Sequence, residues 1–412
     1  MTVEASKAAE VTILRLGAQG DGVAETPEGE VFVTGALPGE RWRLAAGDRP
    51  AQRLTESPER IAPVCRHFGT CGGCTMQHLA TDAYRAWKLA SVVQAFAHRG
   101  IAAEVRPLES VPLASRRRAV LGIAHRGDRV EIGFREAGRH TLVDLAECPV
   151  LDARITAALD GLRLLAKPVM KFATGGRLAI TATETGLDVA LSTGSIETTA
   201  EQRARLASAA TALGITRLTV EGSVVAMPQP PRLTMAGIAT EPPNGVFLQA
   251  VAAAETRLAE LVVSGVGKSK RIADLFCGIG TFTFPLARKA EVLAVDDDKA
   301  ALATLSAALR TAQGLKPVTV KRRDLFREPL SPQELKDLDA VVIDPPRAGA
   351  KDQMEAIARS KLKLVVAVSC NPATLARDAR ILIDAGFKLG PVTPIDQFVF
   401  SPHVEAVAVL KR

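Results

Sequence analysis

The run Leu364-Val365-Val366-Ala367-Val368 is apolar at every position and ends on Ser369-Cys370-Asn371-Pro372. A strand without polar alternation has both faces covered, which points to a parallel sheet with helices on each side. Proline two positions after the thiol cannot continue the ladder, so the strand stops there. Ligands of such sheets bind beyond the carboxyl ends of the strands, which places Cys370 over a crevice. Taken alone, the thiol reads as a small buried hydrophobe, because free cysteine is among the most buried residue types. The rest of the C-terminal half changes that reading.

Between Lys270 and Arg412 strand and helix patterns alternate, the signature of a doubly wound α/β sheet. The first strand ends at Phe276 and is followed by Gly278-Ile279-Gly280 and a helix from Thr281. A GxG turn by itself says little. Here no third glycine follows, so pyrophosphate is a poor fit. Asp296 ends the next strand at the distance from Asp274 at which a carboxylate accepts from a ribose diol. Asp324, after the third strand, can meet an adenine edge, and together these residues suit S-adenosylmethionine better than NAD. The fourth strand ends on Asp344-Pro345-Pro346-Arg347, which turns Asp344 into the crevice. Near the terminus Glu405 stands between Val404, Ala406 and Val407. It is either an exposed strand charge or a base tuned by an apolar setting.

The remaining chain must supply one or two further domains, since 412 residues exceed one ordinary core. Residues 11–60 alternate short β-branched runs with Gly, Asp and Pro, the pattern of a small barrel. Cys65, Cys71 and Cys74 then follow in C-x5-C-x2-C spacing within a Gly-rich loop. Three thiolates close neither a tetrahedral nor a cubane site, and Cys148, followed by Pro149, is the one cysteine left before the C-terminal half. A [4Fe–4S] cluster is favoured over structural zinc, whose usual signature has two C-x2-C pairs. His67 reads as a surface residue and Cys277 as packing. An amphipathic helix is expected from Asp82 to Gly100, and the arginine-rich stretch from Arg116 to Arg139 as a phosphate-contacting surface beside the cluster. The net charge of +7 suits an anionic partner. No run approaches the roughly 20 apolar residues of a membrane span. The N-terminus lacks the layout of a signal peptide, so a cytoplasmic protein with reduced thiols is expected.

Two resemblances gather these features. Leu16-Gly17, Gly20 to Val23 and the Gly35-Ala36-Leu37-Pro38-Gly39-Glu40 turn resemble a TRAM domain, a small RNA-binding barrel attached to RNA-modifying enzymes. DLFCGIGTFTFPLA, IDPPRAGA, SCNPATLARD and SPHVEAV, in that order, resemble the RNA uracil-5 methyltransferase family, and within it the 23S rRNA subgroup that carries both barrel and cluster. The resemblance implies a Rossmann-like class I methyltransferase domain over 251–412. An α+β central iron–sulfur and RNA-binding domain would occupy 61–250, and the barrel 1–60. It implies Cys370 as nucleophile, Glu405 as base, Asp344 as substrate contact and Gln249 in the site. Asp274, Phe276, Gly278, Gly280, Asp296 and Asp324 would hold S-adenosylmethionine, with Gln249 and Asp344 beside it. The expected partner is RNA, 23S rRNA first and tRNA as the alternative, with the enzyme a monomer. A non-catalytic iron–sulfur RNA-binding protein is the rival of a different class, and intact Cys370, Asp344 and Glu405 speak against it. The sequence departs from the family at Val251, where asparagine is usual, and at Phe398-Val399 and Ser401, where Phe-Pro and then Thr are usual.

Overall fold

The computed structural model describes residues 9–45, 50–170, 173, 175–194 and 197–412. Residues 1–8, where no signal peptide was expected, lie outside them. The C-terminal unit is built on a nine-stranded sheet. Its order is Val318–Arg322, Glu291–Asp296, Arg271–Leu275, Ala340–Ile343, Leu364–Ser369, Glu405–Lys411, Thr393–Asp396 and Glu109–Ser110, with Lys388–Leu389 off the main path. The first five of these run parallel, and Glu405–Lys411 is antiparallel to Leu364–Ser369. Chain order reverses at Arg271–Leu275, which has the second strand on one side and the fourth on the other. A crevice opens at such a switch point.

Period-two geometry explains the apolar runs. Val365 and Ala367 join one core layer with Val341, Ile343 and helix residues Leu375 and Leu382. Val366 and Val368 join the opposite layer with Leu258 and Val262. The Leu364–Ser369 strand ends where the next helix is initiated. Asn371 caps that helix, Pro372–Asp384, its side chain accepting from Ala373 N, with Pro372 in the first turn. Cys370 is therefore held between a ladder that has ended and a helix that has not begun. At the other turn the helix spans only Thr283–Ala287, two residues later than expected.

The N-terminal unit consists of two three-stranded antiparallel sheets around Val11, Ile13, Ala24, Val33 and Ala36. The central unit is a seven-stranded sheet backed by helices Ala153–Met170 and Ala200–Ala212. A division at 60 and 250 does not capture one exchange between units. Helix Thr81–Ala97 and strand Glu109–Ser110, early in the chain, belong to the C-terminal unit. Val92 and Phe96 are fully buried in its core, because the face Tyr84, Lys88, Val92, Phe96 needs an apolar partner and the sheet offers one.

Candidate active site

Four strand ends and one loop converge above the switch point. Ser369 pairs with Ala406, so one step further Cys370 stands beside Glu405. Asp344 follows the neighbouring Ala340–Ile343 strand. Glu405 is buried, not an exposed strand charge, and burial pushes its carboxyl up to about 7 against a hydrogen bond from Gln397. Asp344 is raised well above the carboxylate range by burial and by Glu405. Cys370, half-buried, is pushed up to about 11 by burial and by the charges of Glu405 and Asp344, with Arg347 opposing. Arg347 is in contact with His403, Nη2 to Nδ1 at 3.0 Å.

A chain of amides ties the two carboxyls together. Gln249 Nε2 donates to Asp344 Oδ2 at 3.2 Å. Gln397 Nε2 donates to Gln249 Oε1 at 2.7 Å and to Glu405 Oε2 at 2.8 Å. The loop carrying Gln249 is braced by the start of the arginine-rich segment, a structural part that the expectation of a phosphate-contacting surface did not include. Arg117 is buried, donating to Gln249 O at 3.1 Å and pairing with Glu255 at 2.6 Å. Arg118 donates to Leu248 O at 2.7 Å and lies over the Phe247 ring.

The loop between Gln397 and Glu405 is anchored from the far end of the sequence. Lys88 and Asp396 form a fully buried ion pair. Lys88 also donates to Phe398 O at 3.1 Å and His403 O at 2.7 Å. Tyr84 donates to Asp396 at 2.6 Å and accepts from Phe400 N at 2.9 Å. Phe400 has φ +63°, a conformation that a side chain of its size adopts only when its surroundings hold it there. Sequence reasoning passed over Lys88, Tyr84, Asp396 and Gln397. Their signals were a lysine on the apolar face of a helix and a polar pair, Asp396-Gln397, at the end of an apolar strand.

The residues assigned to a nucleoside cofactor cluster at the first two strand ends. Gly278 N donates to Asp296 Oδ2 at 2.9 Å, and Asp298 N to Oδ1 at 2.9 Å. A carboxylate has about four lone-pair sites, so both oxygens can still accept from a diol. Gly278 has φ +54° with open space where a Cβ would project, so a ligand can approach its backbone closely. Gly280 cannot carry a side chain, because a Cβ would stand 2.7 Å from the Phe284 ring. Phe276, at φ +60°, packs on Phe326 with ring centroids 5.3 Å apart. Asp274 is fully buried, accepts from Thr283 at 2.5 Å and leaves Oδ1 without a partner. A buried orphan acceptor at a strand end fits a ligand amine or hydroxyl. Asp324 is partly committed, its Oδ1 accepting from Phe326 N and Arg327 N.

Two cavities flank the 397–403 loop. One, of about 380 Å³, has Cys370, Arg347 and His403 on one wall, with the barrel turn Arg15–Gln19 and helix residues Trp87 and His98 on the other. The second, of about 450 Å³, is lined by Cys65, Cys71, Cys74 and Cys148 together with Phe68, Phe134 and the 398–403 loop. Gly73 N donates to Cys71 Sγ at 3.4 Å, and His67 accepts from Ala146 N, joining the two cysteine loops rather than facing solvent alone. Among the described residues no group of three or more His, Cys, Asp or Glu converges closely enough to hold one metal ion. The four thiols expected from the sequence as cluster ligands share the wall of this one cavity. Cys277 is buried, as packing requires.

Because Glu405 sits near neutrality, a base role there requires the ionised form. For the base role that the family resemblance implies, activity is expected to fall as pH drops through about 7. Single-turnover kinetics against pH check this, and a profile flat down to about pH 5 would contradict it.

Comparison with known proteins gives consistent results. Residues 233–412 match the family described as tRNA (uracil-5-)-methyltransferase. The chain is 46% identical over 410 residues to an uncharacterized RNA methyltransferase of Brucella suis, covering 99% of each. It is 33% identical to the 23S rRNA (uracil(1939)-C(5))-methyltransferase RlmD of Alkalilimnicola ehrlichii, covering 98% of this chain and 96% of that protein. The crystal structure of the Pyrococcus abyssi tRNA (uracil-54, C5)-methyltransferase in complex with S-adenosyl-L-homocysteine superposes with a TM-score of 0.76 at 23% identity, over 98% of this chain and 100% of that one, a match of fold.

Proposed function

The chain belongs to the RNA (uracil-5-)-methyltransferase family, and from that premise we propose that it methylates C5 of a uridine in 23S rRNA, as a monomer, through a covalent bond from Cys370 to C6. The observation that carries this reading is the placement of Cys370, at a cavity mouth, beside two buried carboxyls that an amide chain links.

The chemistry follows from the base. C5 of uracil is too weak a nucleophile to take a methyl group unaided. Addition of sulfur at C6 moves an electron pair toward C5 and makes an enolate. S-adenosylmethionine, when bound, supplies the methyl group as a sulfonium. Gln249, Asp274, Phe276, Gly278, Gly280, Asp296, Asp324 and Asp344 are the residues that would line its site. Burial and the neighbouring carboxyls push the Cys370 thiol up, so its proton passes to water in the cavity as sulfur bonds to C6 and the electron pair moves into the uracil ring. After C5 carries the methyl, Glu405 takes the C5 proton, the C5–C6 double bond reforms and the C6–S bond breaks. The target base must leave its stack to expose this edge, and the cavity between the barrel turn and Cys370 gives it a route.

Cys65, Cys71, Cys74 and Cys148 would hold a [4Fe–4S] cluster. Four thiolate ligands leave no open iron, so its place is structural. It would cross-link two loops, and the first of these grips the catalytic loop through Thr75 N to Phe400 O at 2.8 Å. Anaerobically purified protein is expected to carry about four irons per chain with a broad brown absorbance. Stoichiometric zinc without iron would overturn the assignment.

The 33% identity to a 23S rRNA enzyme supports the rRNA reading, with tRNA, the substrate named for the matching family and for the Pyrococcus abyssi enzyme, as the alternative. The decisive experiment incubates the protein with labelled S-adenosylmethionine and either rRNA or tRNA from cells lacking the gene, then maps 5-methyluridine. Label in 23S rRNA is expected; label confined to tRNA would overturn the substrate, and label at another atom would overturn the reaction.

A further inference from the structure

We propose that Gln397 is a positioning residue for proton removal from C5, aiming Glu405 and tying it through Gln249 to Asp344. The inference rests on the covalent reading above and adds to it a residue that none of the motifs contains.

The orientation of the Gln397 amide follows from its partners. Ala250 N, which can only donate, lies 3.0 Å from Gln397 Oε1. The NH2 group therefore faces the other way, toward Glu405 Oε2 and Gln249 Oε1, and gives one hydrogen to each. Gln249 is oriented in turn, its own NH2 facing Asp344. Every polar atom of Gln397 is used, and the side chain is 1% exposed. With Oε2 of Glu405 fixed by this donor, Oε1 is the oxygen left to receive the C5 proton. The donor also favours the ionised carboxylate, the form a base needs, in a site where burial opposes it. The titratable groups that sense Glu405 directly are Asp344 and Cys370, from the adjacent strand ends; Arg347 faces Cys370, and the Lys88–Asp396 pair and His403 belong to the loop that leads to Glu405. Gln397 is the residue among its neighbours whose hydrogen bond lowers the Glu405 pKa.

The covalent route makes the role separable from packing. A base that is misaimed still permits sulfur addition and methyl transfer, because both precede proton removal. The methylated adduct should then accumulate, whereas a general loosening of the site slows adduct formation and turnover together. Gln397→Glu keeps the acceptor for Ala250 N and replaces the donor by a second carboxyl. Gln397→Met keeps length and removes both. The full chain is assayed with methyl-labelled S-adenosylmethionine and the RNA that accepts label, following released 5-methyluridine and denaturant-stable RNA–protein adduct between about pH 6 and pH 9. In both variants we expect turnover to fall about 100-fold, the effect of a misplacement on the order of 1 Å. Labelled adduct should accumulate, and in Gln397→Glu the acidic limb should move to higher pH. Turnover within twofold of the parent in either variant, or adduct and turnover falling in parallel, overturns the proposal. A parent protein that forms no adduct even with 5-fluorouridine RNA overturns the covalent reading itself, and this inference with it.

Discussion

Replacing Cys370 by alanine is expected to abolish methyl transfer, a loss on the order of 10⁴-fold or more, since no other group can take over addition at C6. Cys277, the other thiol of the C-terminal unit, is buried behind the Gly278 turn and cannot reach the cavity. The same substitution should eliminate the denaturant-stable adduct with 5-fluorouridine RNA. That analogue carries fluorine where the proton must leave, so once sulfur has added at C6 and C5 has taken the methyl group, no proton is left to remove and elimination is blocked. The variant should keep the fold, because the lost atom is half-buried at a cavity mouth and closes no hydrogen-bonded network. It should also keep its affinity for S-adenosylmethionine, measured by calorimetry, since the proposed cofactor residues stand on other strand ends. A Cys370→Ala protein that still makes 5-methyluridine would remove the nucleophile from the mechanism.

The second large effect is on stability. Lys88→Met leaves Asp396 as a buried carboxylate whose remaining described donor is the Tyr84 hydroxyl. Breaking one side of a buried pair costs about 3–5 kcal/mol, because the partner's desolvation is no longer compensated. The His403 carbonyl loses its described donor as well, while Phe398 O keeps those of Ser401. Chemical unfolding followed on the C-terminal unit should show that loss. Lys88→Met combined with Asp396→Leu should recover much of it, since a pair replaced by apolar groups is often near neutral. A single variant within about 1 kcal/mol of the parent would mean that the pair is not a strut.

Some of the architecture was legible because its causes are local. A both-faces-apolar run followed by Asn-Pro reads as a strand that stops there, and Leu364–Ser369 bears that out; the helix that Asn371 caps emerged from the structure. The Asp344 and Cys370 positions followed from the same rule. The helix Thr81–Ala97 was visible from its periodicity, but its destination was not. A repeat of three to four residues says that one face is buried and nothing about which domain buries it. The bracing role of Arg117 was not visible for a related reason. In sequence it is one of three consecutive arginines; in space it pairs with Glu255 behind the Gln249 loop, 138 positions away.

By itself the sequence determined a parallel sheet, the turns at its carboxyl edge, and a thiol and carboxyls at those turns, because strand and turn geometry are set by neighbours along the chain. Only the tertiary structure decided that Glu405 is buried beside Cys370 and that Gln397 joins it to Gln249. It also decided that Lys88, 308 positions before Asp396, anchors the loop between them. Such contacts leave no periodic trace. They arise where separate elements close over one another, and burial then makes each unpartnered polar atom costly enough to select its partner. The strand put the Cys370 thiol at the edge, and the packing around it supplied the crevice and the neighbouring carboxyls of Asp344 and Glu405.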